Sequence, residues 1–497
     1  MEPIIIVGGG LGGLSSAIRL AHQGHSVTLL EKNSVLGGKL NLTVENGYYF
    51  ETGPTLLTMP SVLFDLFTDT GREVHHYLSL KSVSPACRYF FSDKSQLDIF
   101  NDLPKTLNEL EQFNSEEKIA FEKMIAHGRN VYDVAAKPFL FENKSRWDIP
   151  FFLKHWKSLL QVWRLDPFRT LNQLVEKTFK DPRLRQVFNR FATYNGSSPY
   201  KTPATFSIIP FIELGMGAWT VDGGIYQISM ALERLAKELG VEIIKNEEVT
   251  EIVFKHNQVQ GVRTKSGKKY KTSRLIVNED VLSVYEDLIN SKEIKSKLNQ
   301  LTSQSDISSS GFMLQMGVKK KFPELAHHNI FFSEEYKQEF DEIFTQKIPP
   351  RQPTIYLSIS SKSDPDLAPE GCSNLFILVN VPSLKDNTHW EENKQSYRDL
   401  ILNRLADYGI ERIDENSEVE NIWTPLDFKQ KYNAFRGSIY GLASNSPWAA
   451  FRRPSNICKE IKGLYFVGGS THPGGGIPLV LLSGKMVADA VSLSSRT

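Results

Sequence analysis

Ile4-Ile5-Ile6-Val7 opens the chain as a run of branched residues suited to a parallel strand buried on both faces. Gly8-Gly9-Gly10-Leu11-Gly12-Gly13 follows at once with the spacing G-x-G-x-x-G. Leu14, Ala17, Ile18 and Ala21 then recur at helical spacing until Gly24 stops the helix, and Val27-Thr28-Leu29-Leu30 reads as a second strand closed by Glu31. Gly8 allows the tight turn, Gly10 lets backbone N–H groups approach a pyrophosphate, and Gly13 lets the helix pack close to the strand. The phosphate charge would meet the free N–H groups and dipole at the helix start.

Glu31 stands where a dinucleotide's ribose diol is held, about 20 residues past the glycines; the alternative is a solvated carboxylate at a strand end. A carboxylate there favours a free 2′-hydroxyl and repels a 2′-phosphate, so FAD or NAD fits and NADP does not. Gly37-Gly38-Lys39 comes next, then an extended segment over 40–52 leading into Gly53-Pro54-Thr55-Leu56. Two glycines and a base would bring backbone and a cation alongside the cofactor phosphates. A hairpin turn with a surface lysine is the alternative.

A chain of 497 residues is too long for one core, so two domains are expected, interleaved in sequence. The formal charge of +1 provides no basic field for nucleic acid. Cys87, Cys372 and Cys458 lie far apart without C-x-x-C spacing, which points to a reducing cytoplasm and away from zinc or a disulfide framework. The first residues do not resemble a signal peptide, and no apolar run reaches the ~20 residues of a membrane span. His327 and His328 lack a third ligand at metal spacing, so no metal is expected.

From residue 61 to about 178 the pattern reads as mostly helical. Within it, Trp147, Trp156 and Trp163 alternate with Arg146, Lys154, Lys157 and Arg164 over 146–165. Such a segment suits a lipid interface or, equally, an internal helix with a wet basic face. Asp181-Pro182 starts a helix presenting Leu184, Val187, Phe188 and Phe191 on one side. The apolar, irregular stretch 196–219 lines a lipid-sized tunnel or fills a core. The cofactor domain resumes at Gly223-Gly224-Ile225, followed by a meander over 249–254, 258–264 and 269–272 and a returning strand that ends at Asn278. Strands at 312–318, 354–358 and 375–381 and a helix over 391–408 read as a mixed-sheet domain. Near the end, a strand runs through Gly468-Gly469 to Gly476-Ile477-Pro478 and into a helix, a second anion-binding corner far from the first.

Glu31 with Gly37-Gly38-Lys39 looks like the signature of two-dinucleotide-binding flavoproteins. With Gly53-Pro54-Thr55 and the 468–478 block in the same order, the chain resembles the bacterial phytoene desaturase family over essentially its full length. The resemblance implies an α/β fold in which a Rossmann-like FAD-binding domain (1–70, 221–285 and 455–497) is interleaved with a mostly helical substrate and membrane-proximal region (71–220) and a mixed-sheet substrate domain (286–454). It implies non-covalent FAD held by Gly8, Gly10, Leu11, Gly12, Gly13, Glu31, Lys32, Gly38, Lys39, Gly53, Pro54, Thr55 and Leu56. Val249 would meet the adenine by its backbone, and Asn278, Gly468, Gly469, Gly476, Ile477 and Pro478 complete the set, the last corner facing the flavin N1 and C2 carbonyl. Asn278-Glu279-Asp280 departs from the family's usual Asn-Ala-Asp by adding a carboxylate at the cofactor edge.

The implied activity is hydride loss from a carotenoid to flavin, at a site whose work is positioning and water exclusion. Segment 181–199 looks most like the 1-hydroxycarotenoid 3,4-desaturases, acting on a substrate such as 1′-hydroxy-γ-carotene. Phytoene and 4,4′-diapophytoene desaturases and carotenoid terminal oxidases share much of that segment. Glu213 and Tyr194 lie in stretches suitable for a general base, and either can be structural. Cytoplasmic placement on the inner face of the cell membrane and oxygen or a quinone as electron acceptor complete the expectation. An amine oxidase would share the first 40 residues' logic without needing the apolar 205–219 stretch, and a prenyl-protein-binding module would not need the C-terminal flavin corner.

Overall fold

The computed structural model describes residues 2–142, 156, 161–385, 389–447 and 449–494. Its first layer is a five-stranded parallel sheet in the order Leu464–Phe466, Leu275–Val277, Ile4–Val7, Val27–Leu30, Glu242–Ile244. Ile4–Val7 sits in the middle, and its alternation divides between two cores: Ile4 and Ile6 join Leu14, Ile18, Leu235 and Leu481, while Ile5 and Val7 join Val249, Val259 and Val277. A strand buried on both sides needs the unbroken branched run this sequence supplies. The meander Val249–Lys255, Gln258–Thr264 and Lys269–Lys271 forms a separate three-stranded antiparallel sheet.

Helix Leu11–His22 leaves the central strand and packs along helices Gln227–Glu238 and Ile477–Ser494. Gly484 sets the last approach: a Cβ there would lie 2.6 Å from Ser15 Cβ and 2.8 Å from the Gly12 carbonyl oxygen. The Ser15 hydroxyl donates to the Leu481 carbonyl at 2.7 Å across the same contact. Gly24, at φ +86°, turns the chain out of the first helix as its sequence position requires.

The second layer is a seven-stranded mixed sheet in the order Ser417–Trp423, Ser310–Val318, Ser373–Val381, Ile355–Ser358, His328–Phe331, Cys87–Phe90, Gln96–Ile99. All its pairs are antiparallel except His328–Phe331 with Cys87–Phe90. The last two strands correct the expectation of a mostly helical 61–178. Buried Cys87 and Tyr89 alternate with half-buried Arg88 and Phe90, and Leu97 and Ile99 with Gln96 and Asp98, a period of two. The turn between them carries Lys94 at φ +65°. Leu80–Ser82 is also a strand, paired with Trp219–Val221.

Helices Leu103–Asn114, Lys118–Ala135, Leu171–Thr178 and Pro182–Asn189 cover the edge that these strands extend. Asp181 caps the last of them, accepting the Arg183 N–H at 2.8 Å, with Pro182 in the first turn. Leu184, Val187, Phe188 and Phe191 are fully buried, as their spacing predicts. The interfacial segment 146–165 lies largely outside the described residues. Among the described residues no helix is long and apolar enough to cross a membrane.

Candidate functional site

A continuous cavity of about 940 Å³ runs from the glycine loop of the first sheet, past the inner surface of the second, to the helical cover. At its first end Gly8 adopts φ +93°, and a Cβ on Gly13 would stand 2.2 Å from the Gly8 carbonyl oxygen. That is the close helix–strand approach the sequence calls for. Gly10 answers to an additional neighbour. A Cβ there would meet Asn278 Nδ2 at 2.4 Å, one on Gly12 would meet Asn278 Oδ1 at 2.7 Å, and one on Gly468 the same oxygen at 3.0 Å. The Asn278 amide therefore fills the junction of the two glycine corners, leaving no room for a side chain on either.

Glu31 lines the cavity and is oriented by three donors: Gly9 N–H on Oε2 at 2.7 Å, and the Asn33 N–H and side-chain amide on Oε1 at 2.8 and 2.9 Å. The carboxylate's remaining lone pairs are free to receive a ribose diol. Gly37 (φ +115°) and Gly38 (φ +60°) fold onto the first loop, Gly37 N–H donating to the Gly9 carbonyl at 2.9 Å. A Cβ on Gly53 would fall 2.0 Å from the Lys39 carbonyl oxygen. Pro54, Thr55, Leu56 and Val249 line the same cavity.

Lys32 and Lys39 both line the cavity, and each also holds a partner across it. Lys32 Nζ donates to Asn433 Oδ1 at 2.6 Å and to the Gln430 carbonyl at 3.0 Å. Lys39 Nζ donates to the Ile439 carbonyl. Burial pulls both ammonium groups below the usual lysine range, and Asp280 opposes this at Lys39. Each lysine borders the cavity while tying the first sheet's loops to segment 430–439. Glu279, the added carboxylate, is half-buried in the cavity wall near Lys32 and Glu31, and desolvation there lifts it to about 7.

At the C-terminal corner Gly468 (φ +109°), Gly469, Gly476 (φ +100°), Ile477 and Pro478 line the cavity where helix Ile477–Ser494 begins. Its N-terminus and that of Leu11–His22 therefore open onto one space. Arg453, drawn down to about 10 by burial while the Asp280 carboxylate opposes the shift, donates to the Gly469 carbonyl at 2.7 Å. These residues fit a dinucleotide with an extended ring: two helix starts, a diol acceptor, and backbone bared by glycines whose Cβ positions are already filled.

The rest of the wall is largely apolar, with Leu140, Phe206, Ile208, Ile209, Ile212, Phe340 and Phe376 among its residues. Stretch 196–219 divides between its two readings: Phe206, Ile208, Ile209 and Ile212 line the cavity, while Ala204 and Leu214 join a hydrophobic core. A short polar belt interrupts the apolar wall. Arg190 Nη2 donates to Glu213 Oε1 at 3.0 Å and to Tyr89 Oη at 2.7 Å, Nε donates to Tyr89 at 3.1 Å, and the Tyr194 hydroxyl donates to Glu213 Oε2. Glu213 and Tyr194, separate candidates in the sequence, are thus bonded to each other. Tyr194 lines the cavity and Glu213 stands behind it.

Sequence reasoning missed Arg190 and Tyr89 of this belt and two further polar groups of the cavity wall, Tyr356 and Glu339. Arg190 lay inside a helical packing pattern. Tyr356, whose hydroxyl is hydrogen-bonded to Thr55 Oγ1 and to His328 Nδ1 (2.8 Å), had only strand alternation around it. Glu339 lines the cavity with its carboxyl raised to about 7 by burial while accepting from the Thr354 N–H and hydroxyl at 3.1 and 2.7 Å. His327, held below its ordinary value at about 4 by burial, binds Ser363 Oγ through Nδ1 at 2.6 Å, and among the described residues no carboxylate is bonded to it or to His328. Among the described residues, Glu73, His75 and His76 bring three ligand-type atoms within 4.8 Å of one another, on the exposed surface and outside the cavity lining.

The chain matches the family described as flavin containing amine oxidoreductase over residues 11–492. It is 37% identical over 493 residues to a 4,4′-diapolycopene oxygenase of Methylomonas sp., covering 99% of this chain and 98% of that protein. It is also 37% identical over 494 residues to a 1-hydroxycarotenoid 3,4-desaturase of Flavobacterium sp. (strain P99-3), covering 99% of each. Among solved structures, an oxidoreductase from Methanosarcina mazei superposes with a TM-score of 0.66 at 17% identity, over 98% of this chain and all of that one, a likeness of fold.

Proposed function

The chain belongs to the flavin-containing amine oxidoreductase family, among its bacterial carotenoid desaturases and oxygenases, and from that premise we propose that it desaturates a carotenoid using non-covalently held FAD. The bond we assign is C3–C4 of a 1-hydroxylated carotene such as 1′-hydroxy-γ-carotene. The observation that carries this reading is the single cavity, dinucleotide-shaped at one end and apolar with a short polar belt at the other. The bound flavin supplies a hydride acceptor. The protein's residues would do the rest: Glu31 would hold the diol, the start of helix Ile477–Ser494 would favour negative charge gathering on the ring, and the apolar wall would align a polyene and keep water out. The polar belt offers a tertiary hydroxyl hydrogen-bond partners within an apolar channel, whereas against a purely apolar wall that hydroxyl would be left unpaired at a cost of about 1 to 3 kcal/mol.

The test is to incubate the FAD-loaded protein with 1′-hydroxy-γ-carotene, γ-carotene, phytoene and 4,4′-diapophytoene in identical liposomes and to record product spectra. The hydroxylated substrate should turn over fastest. Faster phytoene or diapophytoene turnover would replace the substrate assignment, and no polyene turnover would remove the function. A second reading, oxidation at a chain terminus, draws on the identity to the Methylomonas oxygenase. Incorporated oxygen in the product mass would establish it.

We also propose peripheral docking on the inner face of the cell membrane, with oxygen or a quinone as electron acceptor. Trp163 and Phe168 are 71% and 79% exposed, and Leu165, Pro167 and Phe168 border the cavity. An aromatic rim at the place where the apolar channel meets solvent suits a substrate drawn from lipid. Anaerobic turnover supported by an added quinone, against turnover in air, separates the two acceptors.

A further inference from the structure

We propose, resting on the desaturase reading of this site, that Tyr194 accepts the proton lost by the carotenoid and passes its own hydroxyl proton to Glu213. Hydride loss leaves an allylic cation whose neighbouring C–H is strongly acidic, so even a weak oxygen base is strong enough. The harder requirement is an oxygen lone pair inside an apolar channel, with somewhere for the positive charge to go. The Tyr194 hydroxyl meets the first part: it lines the cavity, its proton is already directed at Glu213 Oε2, and Arg190 Nη1 lies 3.4 Å from its oxygen. Burial and the Glu213 carboxylate hold this phenol well above its ordinary range, so it acts as a hydroxyl relay and not as a phenolate.

The balance closes within these groups. The carotenoid C–H breaks and its electron pair becomes the new C=C bond. That proton joins the Tyr194 oxygen, the former Tyr194 O–H breaks, and a Glu213 O–H forms. Hydride and proton together account for the two hydrogens removed, the hydride going to flavin. Arg190 and Glu213 begin as a buried ion pair at 3.0 Å, with side chains 9% and 3% exposed. After transfer the proton that carried the polyene's positive charge has neutralised Glu213, and Arg190 keeps its own charge without the carboxylate that balanced it. That guanidinium keeps its bonds to Tyr89 and stands 4.4 Å from the Phe191 ring centre, 5.2 Å from that of Tyr89 and 5.5 Å from that of Tyr194. Three aromatic faces around a cation compensate for the lost carboxylate.

The relay also lies at the correct end of the cavity. Gly196, two residues beyond Tyr194, leaves room for Tyr440 Cδ2 at 3.0 Å from its absent Cβ. Gly475 of the C-terminal corner does the same for Tyr440 Cδ1 at 2.7 Å. One tyrosine ring thus separates the relay segment from the corner assigned to the flavin ring.

The test compares Tyr194→Phe, Glu213→Gln and Glu339→Gln with the parent, using carotenoid deuterated at the carbon that loses the proton. Tyr194→Phe removes only the oxygen and should slow product formation about a hundredfold. It should also produce a primary isotope effect at that carbon larger than the parent's, with flavin content unchanged and the fold retained at a somewhat lower melting temperature, because Glu213 Oε2 loses its Tyr194 donor. Glu213→Gln, which keeps an acceptor but cannot take a proton, should reproduce this signature. If that variant fails to fold, Tyr194→Phe decides alone. Turnover of Tyr194→Phe within about threefold of the parent with an unchanged isotope effect would overturn the relay. The signature appearing in Glu339→Gln instead would move the acceptor to that carboxyl. Absence of polyene turnover by the parent would remove the desaturase reading itself, and the relay with it.

Discussion

The two halves of the cavity are built from different parts of the chain's chemistry. The cofactor half is made of backbone: Gly8, Gly10, Gly12, Gly13, Gly53 and Gly468 are glycines because a Cβ at each would fall within 3.0 Å of a fixed neighbour. The substrate half is made of side chains: Arg190, Tyr194 and Glu213 bond with one another and with Tyr89 across elements far apart in sequence, and Tyr356 lines the same wall. A backbone-built half fails completely on one added methyl group. A side-chain-built half degrades by steps, because apolar residues can be exchanged at modest cost.

Gly13→Ala is the largest break available to this comparison. Its Cβ would lie 2.2 Å from the Gly8 carbonyl oxygen, so either the turn or the helix start must move. The protein should lose its flavin on gel filtration and melt at lower temperature. Gly24→Ala meets nothing within 4 Å and pays only for its positive φ, about 1 kcal/mol, with flavin retained. Ile209→Ala, in the apolar wall, should also retain flavin. Equal flavin loss from Gly13→Ala and Ile209→Ala would erase the distinction between the halves.

Glu31→Gln comes next. Gly9 and Asn33 would keep their acceptors in the amide only in part, and the charge-assisted bonds to a diol would be lost. Flavin affinity should fall roughly tenfold to a hundredfold. Equal retention measured by equilibrium dialysis would show that Glu31 is a structural anchor for Gly9 and nothing more.

The same division decides what the sequence made legible. Positive φ and close approach admit almost only glycine, so the two corners appear as local patterns of a few residues, and the parallel sheet follows from Ile4–Val7 and its neighbours. Asn278 belongs to the expected set, but its part in joining Gly10, Gly12 and Gly468 is a long-range fact. Strands Cys87–Phe90 and Gln96–Ile99 were hidden because their alternation is short and lies among helical patterns. The Arg190 network was hidden for a stronger reason: Glu213 is 23 residues away and Tyr89 is 101, with no periodicity linking them. Pairing of that kind is decided by tertiary packing.

Glu279 sharpens the comparison from the cofactor side, as a side chain intruding on the backbone-built half. Burial raises its carboxyl from 4.5 to about 7 in the folded protein. The folded state therefore keeps a proton that the unfolded chain releases between about 4.5 and 7, and stability is greatest below that window and falls as pH rises through it. Glu279→Gln removes this dependence. The variant should match the parent near pH 4 and be more stable by about 1 to 3 kcal/mol at pH 8, a gain of a few degrees in melting temperature. A gain at acid pH, or none at pH 8, would mean that Lys32 and Asn433 already compensate the carboxylate.

The smallest expected effect lies at the outer end of the substrate half, where side chains meet solvent. Trp163 and Phe168 are the two most exposed of the large apolar residues described, and Phe168 borders the cavity. Their rings would bury apolar area in a lipid interface but contribute little to a folded core. Trp163→Ser with Phe168→Ser should therefore leave flavin content, melting temperature and turnover of detergent-dispersed substrate unchanged. Liposome binding and turnover of liposome-held substrate should fall together, by several-fold, because about 25 cal/mol is gained per Å² of apolar surface buried and each ring inserts only in part. A fall in detergent turnover would place these rings in the substrate half proper. Unchanged liposome binding would move the docking surface to another face and leave the rim as a mouth for substrate alone.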